Sequence, residues 1–223
     1  MEKHIIVIPT REGSKGCVNK HIRHNIDGET LLDVCFNKIR ELRNIDIYFL
    51  TDSVDMADYV TDKYSFINVP YIRPYSTDDE EISVVMMEFI KRTDYKGFIT
   101  ILQCTSPLID ESVIAGYMSR TRSLRNDDTM YTIHDSGLKY TSMIIDNKRL
   151  TDLPFETPRQ ILPTVYAFNG AMITFHTDGL IQTGSITSMG RHVHYLVPKP
   201  QSLDIDTEDD FLEWNVRLSL LRV

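Results

Sequence analysis

Residues 4–20 read HIIVIPTREGSKGCVNK, and this stretch decides the fold. Ile5, Ile6, Val7 and Ile8 form a short run of β-branched residues, the signature of a buried strand. Pro9 ends the run, because proline has no N–H to give to a sheet ladder. The polar loop behind it carries Arg11, Ser14, Lys15 and Lys20, with glycines at 13 and 16. Glycine lets backbone N–H groups turn toward an anion, and the cations supply charge. The stretch thus predicts a phosphate-holding loop at the end of a first strand, although a solvated basic turn has a similar composition. It contains neither G-x-x-x-x-G-K-[ST] nor G-x-G-x-x-G, which excludes a Walker A loop and the usual dinucleotide fingerprint.

Outward from this loop the pattern alternates. Leu31, Leu32, Val34, Cys35, Ile39 and Leu42 recur at helical spacing over residues 30–43. Residues 45–50 read as a second strand ending at Thr51-Asp52-Ser53, a polar cluster placed where open α/β sheets bind ligands. A helix over 54–63 and a short strand over 66–69 follow. Ser76 or Thr77 is placed to cap a helix with an acidic first turn, continuing through 84–92 on Val85, Met86, Phe89 and Ile90. Phe98–Leu102 reads as a central strand, 110–122 as a helix, and 130–133 and 191–197 as further strands. A hairpin joins 140–145 to 149–150. The alternation predicts a mostly parallel sheet with helices on both faces.

Composition limits the function. The chain has 223 residues, 42% hydrophobic and 25% charged, as an ordinary globular protein has. Its formal net charge of −8 argues against non-specific binding to nucleic acid or anionic membranes, yet leaves room for a local anion site. No apolar run approaches the roughly 20 residues needed to span a bilayer. MEKHIIVIP is too short in apolar residues for a secretory leader. Cys17, Cys35 and Cys104 have no CxxC spacing and no even count, which fits a reducing cytoplasm without disulfides or a thiolate metal cluster. Neither Cys17 nor Cys104 has a base beside it that would make it a nucleophile.

Three later segments carry chemistry. Gln103-Cys104-Thr105-Ser106-Pro107-Leu108 closes the central strand with an amide and two hydroxyls, neutral partners for a sugar or a base. His192 and His194 share one face of an alternating strand, and two histidines without a third ligand read as surface residues rather than a metal site. In Leu203-Asp204-Ile205-Asp206-Thr207-Glu208-Asp209-Asp210-Phe211, an extended start sends Asp204 and Asp206 to the same side. Two hard carboxylates suit Mg²⁺. Thr207 then caps a last helix, with Asp210 at the capping-box position and Phe211, Leu212, Trp214, Leu218 and Leu221 as its packing side.

In order along the chain, IPTREGSKGCVNKH, Arg73-Pro74, LQCTSPL, RQILPTVYAFNGAM and DIDTEDDF resemble the CMP-sialic acid synthetase family, the acylneuraminate cytidylyltransferases. The chain departs from that pattern at Thr10 (usually alanine), His21 (usually asparagine), Ile161 (aspartate) and Ile173 (tyrosine). The resemblance implies a three-layer, Rossmann-like α/β nucleotidyltransferase fold. It implies one cytidylyltransferase domain over 1–223, with a dimerisation arm at about 135–165. The implied reaction joins CTP to a 2-keto-3-deoxy sugar acid, giving CMP-sugar and pyrophosphate, with Mg²⁺ as cofactor and a homodimer as the working form. By resemblance Arg11, Ser14, Lys15, Lys20 and Arg73 bind the nucleotide. Gln103, Arg159 and Asn169 bind the sugar, and Asp204 and Asp206 hold the metal. Arg11, Lys15, Lys20 and Asp206 are the catalytic set. The other readings are the same fold acting on 3-deoxy-octulosonic acid or a phosphonate, and a nucleotide-binding homologue without turnover.

Overall fold

The run at 5–8 is apolar at every position because both of its faces are covered. In the computed structural model it lies in β1 (His4–Pro9). Ile6 and Ile8 pack with Phe36, Met56 and Tyr117 on one side. Ile5 and Val7 pack with Phe89, Phe175 and Leu180 on the other. Side chains alternate across a strand, so a strand buried on both faces needs no polar positions. The structure describes residues 3–42, 44–73, 81–138, 140, 143–145, 148–149, 151–154 and 156–221, with backbone alone at 144–145, 148–149 and 159.

Seven strands form one sheet: β1, β2 (Asp46–Leu50), β3 (Ile67–Asn68), β4 (Phe98–Leu102), β5 (Asp128–Asp135), β8 (Tyr166–His176) and β9 (Arg191–Leu196). Their order is β3-β2-β1-β4-β8-β5-β9. Pairs β1–β2, β1–β4, β2–β3 and β5–β9 are parallel, while β8 runs antiparallel between β4 and β5. The sheet is mostly parallel, as the alternation predicts, with helices on both faces. What the pattern did not predict is β8. Its residues read as a binding motif, because Asn169-Gly170 interrupts their alternation.

Helices α1 (Leu31–Ile39), α2 (Val54–Lys63) and α4 (Glu111–Thr121) cover one face. Helices α3 (Ile82–Thr93) and α5 (Thr177–Thr183) cover the other. The start of α1 is fixed by a capping box in which Thr30 and Asp33 each accept the other's backbone N–H. Asp33 is the hub of this end. It also accepts from Tyr59 Oη at 2.7 Å, Lys63 Nζ at 2.7 Å and Tyr64 Oη. Helix α3 starts later than expected, with Glu81 at its N-cap and no side-chain cap. The expected caps Ser76 and Thr77 lie outside the described residues.

The last helix, α6 (Glu208–Leu220), has the predicted capping box of Thr207 and Asp210. Phe211 and Trp214 are buried against Cys17, Leu31 and Ile205, with Leu218 partly buried beside them. Leu212 and Leu221 correct the expected packing side: they are 63% and 80% exposed, Leu212 because it is turned about 100° away from Phe211 around the helix, and Leu221 because it is the C-cap, past the last helical residue. Of the expected hairpin, β6 (Ile144–Ile145) pairs with β7 (Lys148–Arg149) as a separate two-stranded ribbon, and 141–142, 146–147 and 150 lie outside the described residues. Among the described residues, no helix is long and apolar enough to cross a membrane.

Candidate active site

A cleft of about 400 Å³ opens at the carboxyl ends of β1 and β4. Arg11, Ser14 and Lys20 reach it from the loop after β1, and Arg73 from the segment after β3. Gln103 and Thr105 enter from the end of β4, and Asp204 and Asp206 from the segment before α6. Seven expected site residues therefore line one space: Arg11, Ser14, Lys20, Arg73, Gln103, Asp204 and Asp206.

The loop is bolted to the acidic segment. Lys20 is buried, and its Nζ donates to the Ile205 carbonyl at 2.6 Å and to Asp206 Oδ1 at 2.9 Å. Arg23 pairs with Glu208 at 2.5 Å while its guanidinium lies 4.2 Å from the centre of the Phe211 ring. Gly16 makes the closest approach, since a Cβ there would lie 2.3 Å from the Asp206 carbonyl oxygen. The acidic segment is anchored from below, where Ile205 N–H donates to the Thr105 carbonyl at 2.8 Å. Arg73 is fixed by its own backbone N–H on the Thr51 carbonyl and by Nη1 on the Thr10 carbonyl.

The electrostatics of the cleft are mixed. Burial pushes the Asp204 carboxyl above the usual range, opposed by the Thr105 hydroxyl and raised further by Asp206. Its Oδ1 is buried and has no hydrogen-bond partner among the described residues. An orphaned buried carboxylate oxygen beside a second, exposed carboxylate fits an oxygen-seeking cation such as Mg²⁺. Among the described residues, here as elsewhere, no cluster of three or more His, Cys, Asp or Glu side chains could hold a metal, so the donors at this point are the Asp204–Asp206 pair alone. His194 instead bonds Tyr131 Oη at 2.8 Å, and both His192 and His194 rings pack on Tyr131.

Two expected residues, Lys15 and Asn169, are placed differently, and the side chain of a third, Arg159, is not among those described. Lys15 is exposed and does not line the cleft. Arg159 starts a 3-10 turn, Arg159–Ile161, and its side chain lies outside the described residues. Asn169 is buried behind the cleft wall, where its Oδ1 accepts from the Thr132 hydroxyl and from Ala171 N–H. Thr132 Oγ1 accepts Met172 N–H in turn. These bonds pin a bulge in β8, where the register with β5 jumps from Tyr131↔Ile173 to Ile133↔Phe168 and Gly170 takes a φ of 72°. Bulges re-aim side chains beside active sites. Here the residues of β8 that face the cleft are Phe168, Gly170 and Ile173.

The Thr51-Asp52-Ser53 cluster does structural work. Ser53 caps α2, Thr51 Oγ1 accepts Ser53 N–H, and Asp52 accepts Glu12 N–H at 2.7 Å. Cys17 and Cys104 are buried, and burial pushes the Cys104 thiol up to about 12. The cleft also holds residues that sequence reasoning did not place there. His21 is buried, and burial with the Lys20 and Arg11 cations lowers its imidazole to about 4. Ile82, Val85 and Phe168 join it. Only the departure at His21 from the resembled pattern hinted at any of them.

A family model described as Cytidylyltransferase matches residues 5–153. The chain belongs to the cytidylyltransferase family. Within it, the chain is 28% identical over 224 residues to the N-acylneuraminate cytidylyltransferase of Escherichia coli O18:K1:H7 (strain RS218 / NMEC), with 94% of this chain and 50% of that protein covered. It is 26% identical over 232 residues to the protein of the same name from Streptococcus agalactiae serotype V, covering 94% of this chain and 52% of that one. The chain thus spans about half the length of these curated relatives. Solved structures share the fold of this cytidylyltransferase family member. One is a CMP:2-keto-3-deoxy-manno-octonic acid synthetase complexed with CTP, at TM-score 0.68 and 13% identity, covering 98% of this chain and 99% of that one. Another is the 4-diphosphocytidyl-2C-methyl-D-erythritol synthase of Anaerococcus prevotii DSM 20548, at TM-score 0.67 and 15% identity, covering 97% and 96%. The family match ends before Asp204 and Asp206, so the carboxylate pair rests on this chain's own geometry.

Proposed function

We propose that this protein transfers CMP from CTP to a 2-keto-3-deoxy sugar acid, sialic acid or a related nonulosonic acid, and releases pyrophosphate. The observation that carries this reading is the convergence of three cations, Arg11, Lys20 and Arg73, with the Asp204–Asp206 pair on one cleft at the strand ends. Attack of a sugar hydroxyl on the α-phosphate asks for charge neutralisation and alignment more than for covalent help. Arg11, Ser14 and Lys20 hold the triphosphate, with Lys15 at the rim of the same loop. Arg73 holds the nucleotide. Gln103, with Arg159 from its turn, orients the acid, and Asn169 acts from behind by holding β8. Asp204 and Asp206 would hold Mg²⁺, which when bound neutralises phosphate charge and acidifies the attacking hydroxyl. Residues 135–165 serve as an arm that pairs two copies, and three buried free thiols suit a cytoplasmic setting.

The names of the relatives and the fold neighbour support a CTP reaction with a sugar acid, and they differ in acceptor. The test is pyrophosphate release from CTP and Mg²⁺ with N-acetylneuraminic, pseudaminic, legionaminic and 3-deoxy-octulosonic acids. Release with one acid names reaction and acceptor together. CTP binding with silence across the panel overturns the reading in favour of a homologue without turnover. Sedimentation of the full chain tests the pairing.

A further inference from the structure

Helix α6 is apolar on two sides. Phe211 and Trp214 face inward, with Leu218 partly buried beside them. Leu212, Val216 and Leu220 recur at every fourth residue on the outer side and form a ridge along the helix. The loop after β1 widens this ridge along one edge. Ile26 N–H donates to Asn215 Oδ1 at 2.6 Å, and Val18 N–H donates to the Glu208 carboxylate. Val18, Ile26, Leu212, Val216 and Leu220 are each between 49% and 68% exposed. Single apolar residues on a surface need no explanation, whereas large ones gathered on one patch mark a contact surface. A surface helix needs one apolar face to dock on its own chain, and a second such face calls for a second partner.

We infer that this patch seats a second copy of the chain, with the two α6 helices antiparallel and a two-fold axis passing by Val216. The ridge is symmetric about that residue, leucine on either side at 212 and 220. A dyad there sets Leu212 of each copy against Leu220 of the other. Charge selects the antiparallel sense. Glu213 and Arg217 lie on one edge of the ridge, each one residue past a ridge position, and pair with each other. A dyad across antiparallel helices brings that edge against its own copy, so Glu213 of each copy meets Arg217 of the other. Parallel helices would set it against the opposite edge of α6, which at that level carries Asn215 and Ser219, neither of them a cation. The contact lies on α6 and the loop after β1, apart from the arm proposed at 135–165 and independent of the reaction proposed for the cleft.

The experiment cross-links the full chain through introduced cysteines under a mild oxidant. Cys17, Cys35 and Cys104 do not interfere, since all three are buried. Only a residue on the dyad meets its own counterpart, so Val216→Cys is expected to give a disulfide-linked pair. It should link about tenfold or more faster than Leu212→Cys or Leu220→Cys alone, because pairing holds the two thiols at a far higher effective concentration than diffusion does. Val54→Cys, at an exposed position of α2, sets the collision rate. Combining Leu212→Cys with Leu220→Cys is expected to restore fast linking. Val216→Glu puts like charges on the dyad, and sedimentation is expected to show half the wild-type mass with an unchanged circular dichroism spectrum. Equal rates at 212, 216 and 220 overturn the antiparallel arrangement. Linking at 216 no faster than at 54, or a Val216→Glu variant of wild-type mass, overturns the contact itself. Neither result touches the proposed reaction.

Discussion

Lys20 Nζ sits 2.9 Å from Asp206 Oδ1, a pair that closes the phosphate loop onto the segment before α6. The lysine is buried and the aspartate exposed, so the cation is held in place while the carboxylate faces solvent and cleft. Removing the ammonium takes a charge from the cleft and cuts the loop from its support. Lys20→Met is predicted to lower pyrophosphate release by about a hundredfold or more, the scale of losing one preorganised electrostatic contact. Lys20→Arg is not expected to rescue it, because a planar fork cannot replace a compact ammonium between a carbonyl and a carboxylate. Near-normal turnover in either variant removes Lys20 from the site.

Gly16 is predicted to tolerate no side chain. A Cβ would meet the Asp206 carbonyl oxygen at 2.3 Å, and backbone cannot rotate aside as a side chain can. Gly16→Ala should displace the acidic segment and cut turnover, while Gly13→Ala meets no atom within 4 Å and strains only its φ of 76°. Equal turnover in the two variants would contradict the close approach as the reason.

Asp206→Ala is predicted to abolish Mg²⁺-dependent turnover without unfolding the chain. The helix start that follows is held by Thr207 and Asp210, which do not need the Asp206 side chain. A metal titration of activity beside a thermal melt separates the two effects. Retained Mg²⁺-dependent activity would count against the assignment of this carboxylate to the metal.

Asp33 supplies a test of stability remote from the chemistry. Burial alone would raise its carboxyl, but hydrogen bonds from Lys63, Tyr64, Thr30 N–H and Tyr59 prevail and hold it well below the usual range. Asp33→Asn is predicted to cost about 2–3 kcal/mol, the worth of hydrogen bonds to a charged group. That corresponds to roughly 4–12 °C in Tm for a chain of this size. The sign with pH follows from the depressed folded value. The contribution is complete above the ordinary carboxylate pKa of about 4 and is lost as pH falls toward the folded one. Melts between about pH 7 and pH 2 should therefore show wild type and variant converging on the acid side.

How much was legible varied with how local the cause was. The β1 run, the alternation of strands and helices, and the Thr207–Asp210 box depend on residues near one another, and all three are in the structure. The loop cations and the Asp204–Asp206 pair were legible in the residues themselves, from charge beside glycines and from carboxylates two apart in an extended segment, whereas Arg73 was legible only through the resemblance. Helix α3 could not be started correctly, since Glu81 caps it without a side-chain bond. Strand β8 was hidden by its own bulge, and with it the role of Asn169, whose partner Thr132 lies 37 positions away. Phe168 stayed hidden with it, while Ile173 was marked only as a departure from the resembled pattern and not as part of a cleft-lining strand.

The contacts that finish the cleft join Lys20 to Asp206 and Arg23 to Glu208, across 186 and 185 positions of chain. Contacts so distant in sequence form after local ones, because closing such a loop costs entropy before any contact repays it. A ribosome-bound chain that has not yet released the residues after Gln201 can have its first four parallel strands side by side and still lack both carboxylates. Competence for chemistry would then lag behind formation of the parallel strands, arriving only when α6 docks.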